Sequence, residues 1–164
     1  MLLVDVPNRI RVGGIVLHDE ALLVMFRRRE GREYYTFPGG GVEEHESLED
    51  ALLRELREET SVEVKLGMVR YELHRPEDTS LRNRREYFFV CTYVHGEPML
   101  AQNSIEEKIN DPQNNFFQPR WMSVADIRGG VVPLFPKEIA GRLFHDIEHG
   151  FQKAPVIVEA DTPS

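Results

Sequence analysis

The feature that most restricts this chain is a run of one proline and three glycines, Pro38-Gly39-Gly40-Gly41, placed shortly ahead of an acidic segment, Ser47 to Thr60. Proline and glycine end a regular element before them, and glycine lets a backbone approach its neighbours more closely than a β-carbon permits. Behind the glycines, Ser47 with Asp50 three residues on makes a capping-box-like start, and Leu48, Ala51, Leu52 and Leu56 recur at helical spacing. The spacing predicts a helix over 47–60. At about 100° per residue, Glu58 and Glu59 fall about 60° and about 40° to either side of Glu55, so three carboxylates share one face. Like charges at i, i+3 and i, i+4 oppose a helix by a few tenths of a kcal/mol per pair, and the helix dipole disfavours anions at this C-terminal end. Stability alone would not place them there. A hard divalent cation resolves the conflict, because Mg²⁺ draws oxygen ligands from carboxylates, water and phosphate.

The rest of the chain supplies a frame for that helix. Arg11 to Leu17 and Ala21 to Arg27 read as a hairpin around His18-Asp19-Glu20, and Tyr34 to Phe37 as a third strand. Glu63 to His74 and Glu86 to Val94 read as longer strands joined by a polar turn around Pro76 and Asn83. Glu97 to Gln118 has no period and reads as a long loop, of the kind that often carries function. A short strand over Arg120 to Met122, a helical turn from Ser123 and a helix from Pro136 to His149 complete the pattern. Strands, an acidic helix, more strands and a second helix predict an α/β fold with a mixed, partly antiparallel sheet. No linker or repeat divides the 164 residues, so one domain over 1–152 is expected, with a loose C-terminal tail over 153–164.

Composition narrows the partners. Twenty Lys and Arg against 28 Asp and Glu give a net charge of −8, which argues against a track for a nucleic-acid backbone and for a small-molecule partner. The basic residues are 16 Arg and 4 Lys, clustered at Arg27-Arg28-Arg29 and Arg82 to Arg85, and the planar guanidinium suits phosphate. Cys91 is the only cysteine, which excludes a disulfide framework and a multi-thiolate zinc site. Apolar runs such as Ala21 to Phe26 are too short to span a bilayer, and Met1-Leu2-Leu3-Val4-Asp5 lacks the features of a signal peptide. No membrane partner and a cytoplasmic location are expected, and a homodimer is left open.

Gly40, Glu46, Arg54, Glu55, Leu56, Glu58, Glu59 and Val62 stand at the spacing G-x5-E-x7-R-E-U-x-E-E-x-G-U, with U aliphatic. This stretch resembles the Nudix box. Ser61 departs from its second glycine, and His45 stands where a small residue is commoner. Tyr34 to Pro38, and Asn115, Phe117, Pro119 and Trp121 with Ser123 to Ile127, are similar to strands that flank the box in many members. The resemblance implies a Nudix-type α/β/α sandwich and a MutT-like hydrolase using Mg²⁺ or Mn²⁺. Such an enzyme cleaves a nucleoside diphosphate linked to another moiety by water attack on phosphorus. It implies Glu55 and Glu59 as metal ligands, with Glu58 a ligand or just beyond, and the Gly39 carbonyl completing the set. Arg54 would pair with Glu46 and orient the glutamates, and Gly40 and Glu46 would be structural. The general base would be a box glutamate such as Glu58 or one from a distant loop, here Glu106 or Glu107, with Glu97 behind them.

Arg27, Arg32 and Arg84 are candidates to contact phosphate. Tyr35, with Tyr34, Phe116 and Phe117, is a candidate to stack on a base. Pro76 lies near, but not at, the offset associated with ADP-ribose hydrolases, and the motifs of NADH and coenzyme A hydrolases are absent. Two alternatives stand beside this reading: an RNA 5′-end pyrophosphohydrolase, and a non-catalytic nucleotide-sensing Nudix module. The second usually loses box glutamates, and all four are present here. Ser61 is expected in a left-handed conformation after the helix, so that glycine there would add about 0.5–1 kcal/mol of stability.

Overall fold

The computed structural model describes residues 9–75 and 83–160. Strands β1 (Arg9–His18) and β2 (Ala21–Arg29) form a hairpin whose turn residues, Asp19 and Glu20, both have positive φ, as a tight two-residue connection requires. β3 (Arg32–Thr36) runs back along β2. The glycine run, expected as a turn that ends β3 and lets the backbone approach its neighbours, is itself a short strand, β4 (Gly39–Gly41), antiparallel to β1 through Arg11↔Gly41 and Gly13↔Gly39. Helix α1 (Leu48–Thr60) follows, with the Ser47 hydroxyl accepting from the Asp50 N–H at 3.0 Å.

β5 (Glu63–His74) and β6 (Asn83–His95) pair antiparallel, and β6 lies parallel against β1. Then come α2 (Ile105–Lys108), β7 (Asn115–Ser123), α3 (Val124–Gly129), β8 (Leu134–Phe135), α4 (Lys137–His149) and β9 (Val156–Glu159). The strands follow the order β8-β3-β2-β1-β6-β5-β9, with β4 on β1 and β7 on β2. Parallel contacts at β1/β6, β3/β8 and β5/β9 make the sheet mixed, as the element order predicts.

Alternation along the strands divides the core in two. Ile15, Leu22, Val24 and Phe26 face Ile127 of α3 and Ile139 and Leu143 of α4. Val12, Val16, Leu23 and Phe89 face Ala51, Leu52 and Leu56 of α1. The result is the α/β/α sandwich. Tyr71 pins α4 to β5 by donating its hydroxyl hydrogen to the buried Asp146 carboxylate at 2.6 Å. Cys91 is buried in β6, and burial pushes its thiol up to about 12. Among the described residues, no helix is long and apolar enough to cross a membrane.

Two expectations change. The segment 97–118 is not one irregular loop, because α2 interrupts it and β7 begins at Asn115. The segment expected as a loose tail from 153 contains β9, parallel to β5 through Tyr71↔Val156 and Leu73↔Val158. Val156 and Val158, both half-buried, pack against the α4-side core. The β-branched run Val156-Ile157-Val158 favours a strand, but three residues directly behind Pro155 are too short to show a period. Replacing both with serine should cost about 1–2 kcal/mol of lost apolar burial. In a chain of this length that lowers the melting temperature by about 2–8 °C. A thermal melt unchanged from wild type would show that β9 adds nothing to the core.

Candidate active site

The glycines of β4 are a seat for carboxylates. The Gly39 N–H donates to Glu59 Oε2 at 3.0 Å. A β-carbon on Gly39 would fall 2.0 Å from the Val12 carbonyl oxygen, and one on Gly40 would fall 2.4 Å from Glu55 Oε1. Any side chain here would push β4 away from β1 or from the helix.

Arg54 organises the acids around it. Its Nε donates to Glu46 Oε2 at 2.8 Å and its Nη2 to Glu46 Oε1 at 2.9 Å, a two-pronged pair that lysine could not form. Nη2 also donates to the Gly41 carbonyl at 3.0 Å, and Nη1 to Glu55 Oε1 at 2.8 Å. The Arg54 hydrogen bonds, helped by the Glu43 N–H, hold the Glu46 carboxyl down at about 2. Glu58 lies 3.8 Å from Arg54 Nη1 and is partly open to solvent.

Glu55 and Glu59 of α1 and Glu106 of α2 each offer a carboxylate oxygen within 4.8 Å of the others. Burial pushes the Glu59 carboxyl well above the usual range, and the nearby Glu55 charge adds to this. Burial also raises Glu55, against the pull of Arg54. Oε2 of Glu106 is buried and has no hydrogen-bond partner among the described residues. Mutually repelling carboxylates with an orphaned buried oxygen among them are a donor set that fits a hard divalent cation.

Backbone at the end of α1 brings Glu106 there. The Met99 N–H donates to the Thr60 carbonyl at 2.9 Å and the Ala101 N–H to the Glu58 carbonyl at 2.8 Å. These are carbonyls that a helix C-terminus leaves unpaired. Ser61 is left-handed, with φ 57° and ψ 11°, and its hydroxyl donates to the Met99 carbonyl at 2.8 Å. Glu107 turns elsewhere: its Oε2 accepts from the Asn103 N–H. A cleft of about 410 Å³ opens here, lined by Arg54, Glu55, Glu58 and Glu106 among others. A second, also about 410 Å³, lies on the α4 side and is lined by Arg11, Phe37, Arg75, Glu86, Phe88 and Phe135 among others.

The expected substrate contacts separate. Arg27 is near the carboxylates, since the charges of Glu59 and Glu106 act on it. Its guanidinium lies 3.6 Å over the Phe117 ring, Nη2 donates to Asn115 Oδ1 at 2.9 Å, and Nε is buried without a partner among the described residues. Arg32 is exposed where β3 begins, opposite Arg29. Tyr35 is core, 7% exposed with its ring 5.7 Å from Phe26, because alternation along β3 turns Tyr34 and not Tyr35 toward Arg27. Glu97 is exposed and outside the cluster. The Arg84 side chain and Pro76 lie outside the described ones. Arg11 and Glu86 were not singled out from the sequence. Glu86 stands two residues before Phe88 on the same inward face of β6, and a charge at an inward strand position was the available signal.

The NUDIX domain profile matches residues 7–143. The chain is 32% identical over 124 residues to an RNA pyrophosphohydrolase of Teredinibacter turnerae, which covers 67% of this chain and 68% of that protein. It is 28% identical over 122 residues to Nudix hydrolase 2 of Arabidopsis thaliana, covering 72% of this chain and 40% of that one. Among solved structures, the fold matches an ADP-ribose pyrophosphatase from Streptococcus suis with a TM-score of 0.60 at 17% identity, over 93% of this chain and 99% of that one. It matches a NUDIX hydrolase from Nitrosomonas europaea with a TM-score of 0.64 at 18% identity, over 93% and 80%. The box, the sandwich and the profile agree: the chain belongs to the NUDIX family. It is a hydrolase of phosphoanhydride bonds, from a family that acts on nucleotide-type substrates and uses divalent metals.

Ser61→Gly relieves a left-handed side chain, worth about 1–2 kcal/mol, but removes a hydrogen bond worth about 0.5–1.5 kcal/mol, so its stability should stay within about 1 kcal/mol of wild type. Ser61→Ala keeps the strain and loses the bond, so it should melt about 1–6 °C lower. An alanine variant as stable as wild type would mean that the hydroxyl does not hold the segment.

The same carboxylates make stability depend on pH. An acid whose folded pKa is raised loses stability as pH climbs, because the unfolded chain ionises near the ordinary 4.5 while the folded Glu59 carboxyl keeps its proton. Glu46 acts in the opposite sense: its contribution is complete above 4.5 and is lost as pH falls toward about 2. With a chelator, the melting temperature should fall as pH is raised above the ordinary glutamate range. A saturating divalent cation should then raise it more at about pH 8 than at about pH 5. Equal shifts at both values would mean that these carboxylates do not bind the ion.

Proposed function

We propose that this hydrolase is a Mg²⁺- or Mn²⁺-dependent pyrophosphohydrolase that cleaves a nucleoside diphosphate linked to another moiety, by attack of water on phosphorus. The convergence of the Glu55, Glu59 and Glu106 carboxylates within 4.8 Å carries this reading. Glu55 and Glu59 would hold the metal with the Gly39 carbonyl, and Glu58, at the open side of the cleft, would join them or stand just beyond. A bound metal of this kind neutralises diphosphate charge and lowers the pKa of a bound water. The chain's own groups then position the reaction, which is where most of the rate in phosphoryl transfer comes from. Arg54 orients Glu55 while its other prong is occupied by Glu46. Gly39 fixes one oxygen of Glu59 and leaves the second for the metal. Glu106, with its orphaned Oε2, would take the proton of the attacking water, and Arg27 would meet a phosphate oxygen through its guanidinium.

A second reading, removal of pyrophosphate from an RNA 5′ end, is favoured by one observation: the Teredinibacter relative, 32% identical over 67% of this chain, bears that name. The net charge of −8 opposes it. Turnover of nucleoside diphosphate derivatives and of a 5′-triphosphorylated oligoribonucleotide, side by side with Mg²⁺ and with a chelator, separates the two.

Glu59→Gln and Glu106→Gln should each lower turnover by about 10²–10⁴-fold without unfolding the protein, while Glu107→Gln should keep most of it. A Glu59→Gln rate near wild type at saturating metal would overturn the metal assignment. A Glu106→Gln rate near wild type would move the base into the box.

A further inference from the structure

We infer that His145 and His149, one turn apart on α4, form a binding site for Zn²⁺ or a similar imidazole-seeking transition-metal ion. The site stands apart from the carboxylates and does not rest on the reaction proposed above, since α4 packs on the sheet face opposite α1.

The segment His145-Asp146-Ile147-Glu148-His149 spaces its histidines at i, i+4 within α4. On a helix this spacing sets two rings side by side on one face, the arrangement by which helical histidine pairs hold zinc. Here the ring centroids are 4.4 Å apart, the planes lie within 22° of parallel, and both residues are exposed. A pair of solvated histidines would satisfy the spacing equally well; the hydrogen bonds at Nδ1 favour a metal.

Both Nδ1 atoms are committed. Nδ1 of His149 lies 2.9 Å from the His145 carbonyl, which only accepts, so this nitrogen carries the hydrogen. Nδ1 of His145 lies 3.3 Å from Oδ1 of Asp146. That carboxylate is 1% exposed and accepts from the Tyr71 hydroxyl at 2.6 Å and from Arg142 Nε at 3.0 Å, so it too only accepts. A neutral imidazole with its hydrogen on Nδ1 keeps its lone pair on Nε2. Both rings therefore hold a free lone pair at the same nitrogen. A carbonyl or carboxylate behind the ring is also the partner that orients metal-bound histidines.

The surroundings admit a cation. Arg142 is paired with Asp146 and Arg128 with Glu148, so neither guanidinium is left uncompensated beside the rings. The pair stands at the C-terminal end of α4, where the helix dipole favours positive charge. Imidazole nitrogens suit Zn²⁺, Ni²⁺ and Cu²⁺, whereas Mg²⁺ takes oxygen ligands, so the two sites select different ions. Asp146 follows the first histidine where helical zinc hydrolases carry their catalytic glutamate, but it is buried and fully engaged. The site thus binds and does not hydrolyse. An ion across these rings would brace the turn that carries Asp146, through which Tyr71 pins α4 to β5.

The test is metal binding to the full chain, free of any histidine tag, at about pH 8 with saturating Mg²⁺. Cu²⁺ is the probe, because its electron paramagnetic resonance spectrum counts nitrogen ligands and so separates this site from copper held by carboxylates. Wild type should bind Cu²⁺ through two imidazole nitrogens, and Zn²⁺ should displace it. His145→Gln and His149→Gln should each weaken that binding by about tenfold or more and lose one nitrogen from the spectrum. Without metal, both variants should melt close to wild type, since both side chains are exposed. Copper bound by wild type through fewer than two nitrogens, no displacement by Zn²⁺, or a two-nitrogen spectrum retained in either variant would overturn the assignment. If one variant does not fold, the other and the wild-type nitrogen count decide in the same way.

Discussion

Carboxylate repulsion at the C-terminal end of α1 is the constraint around which the rest of the molecule is arranged. Glu55 and Glu59 are held close to each other and to Glu106, largely out of water, where the helix dipole adds to the cost. Each nearby feature offsets part of it. Arg54 places one guanidinium against Glu55 and Glu46, the Gly39 N–H takes one oxygen of Glu59, and the absence of β-carbons in β4 lets both happen in one small volume. The apolar stripe of Ala51, Leu52 and Leu56 then anchors the helix to the sheet, so that the repulsion cannot be relieved by moving α1 away.

The two faces of the sheet have different tasks, and β1 shows how. Val12 and Val16 point to α1 and build the floor beneath the acids, while Arg11, Gly13 and Ile15 belong to the α4 side. One strand of alternating residues thus sets both the bed of the carboxylate site and one wall of the aromatic cleft. The period of two that makes a strand half-buried on each face lets neighbouring residues of β1 serve α1 on one side and α4 on the other.

What was legible in the sequence follows from the range of the interactions involved. The α1 acids and their arginine lie within one short stretch, so helical spacing was enough to place them on one face. Ser61 also sits where the end of a helix demands a left-handed residue. The partners of these groups come from far along the chain. The Gly39 contact to Glu59 spans 20 positions and the Ser61 contact to Met99 spans 38, and no local pattern encodes either. Tyr34 and Tyr35 are adjacent aromatics whose roles depend on the register of β3, which a five-residue strand does not announce. β9 was concealed by its brevity, and α2 by having only four residues, fewer than the two turns a period needs to show.

The hydrogen bonds from Met99 and Ala101 to the last carbonyls of α1 have a consequence for concentration. A free segment from Glu97 to Asn114 would sweep a large volume, and a carboxylate on it would be present at the helix end only at the dilute level that a long flexible loop allows. Fastening that segment at two backbone points, a few residues before Glu106, shortens the untethered stretch. It also raises the effective molarity of that carboxylate beside Glu55 and Glu59. The backbone that ends the helix thereby sets how often the third acid is present.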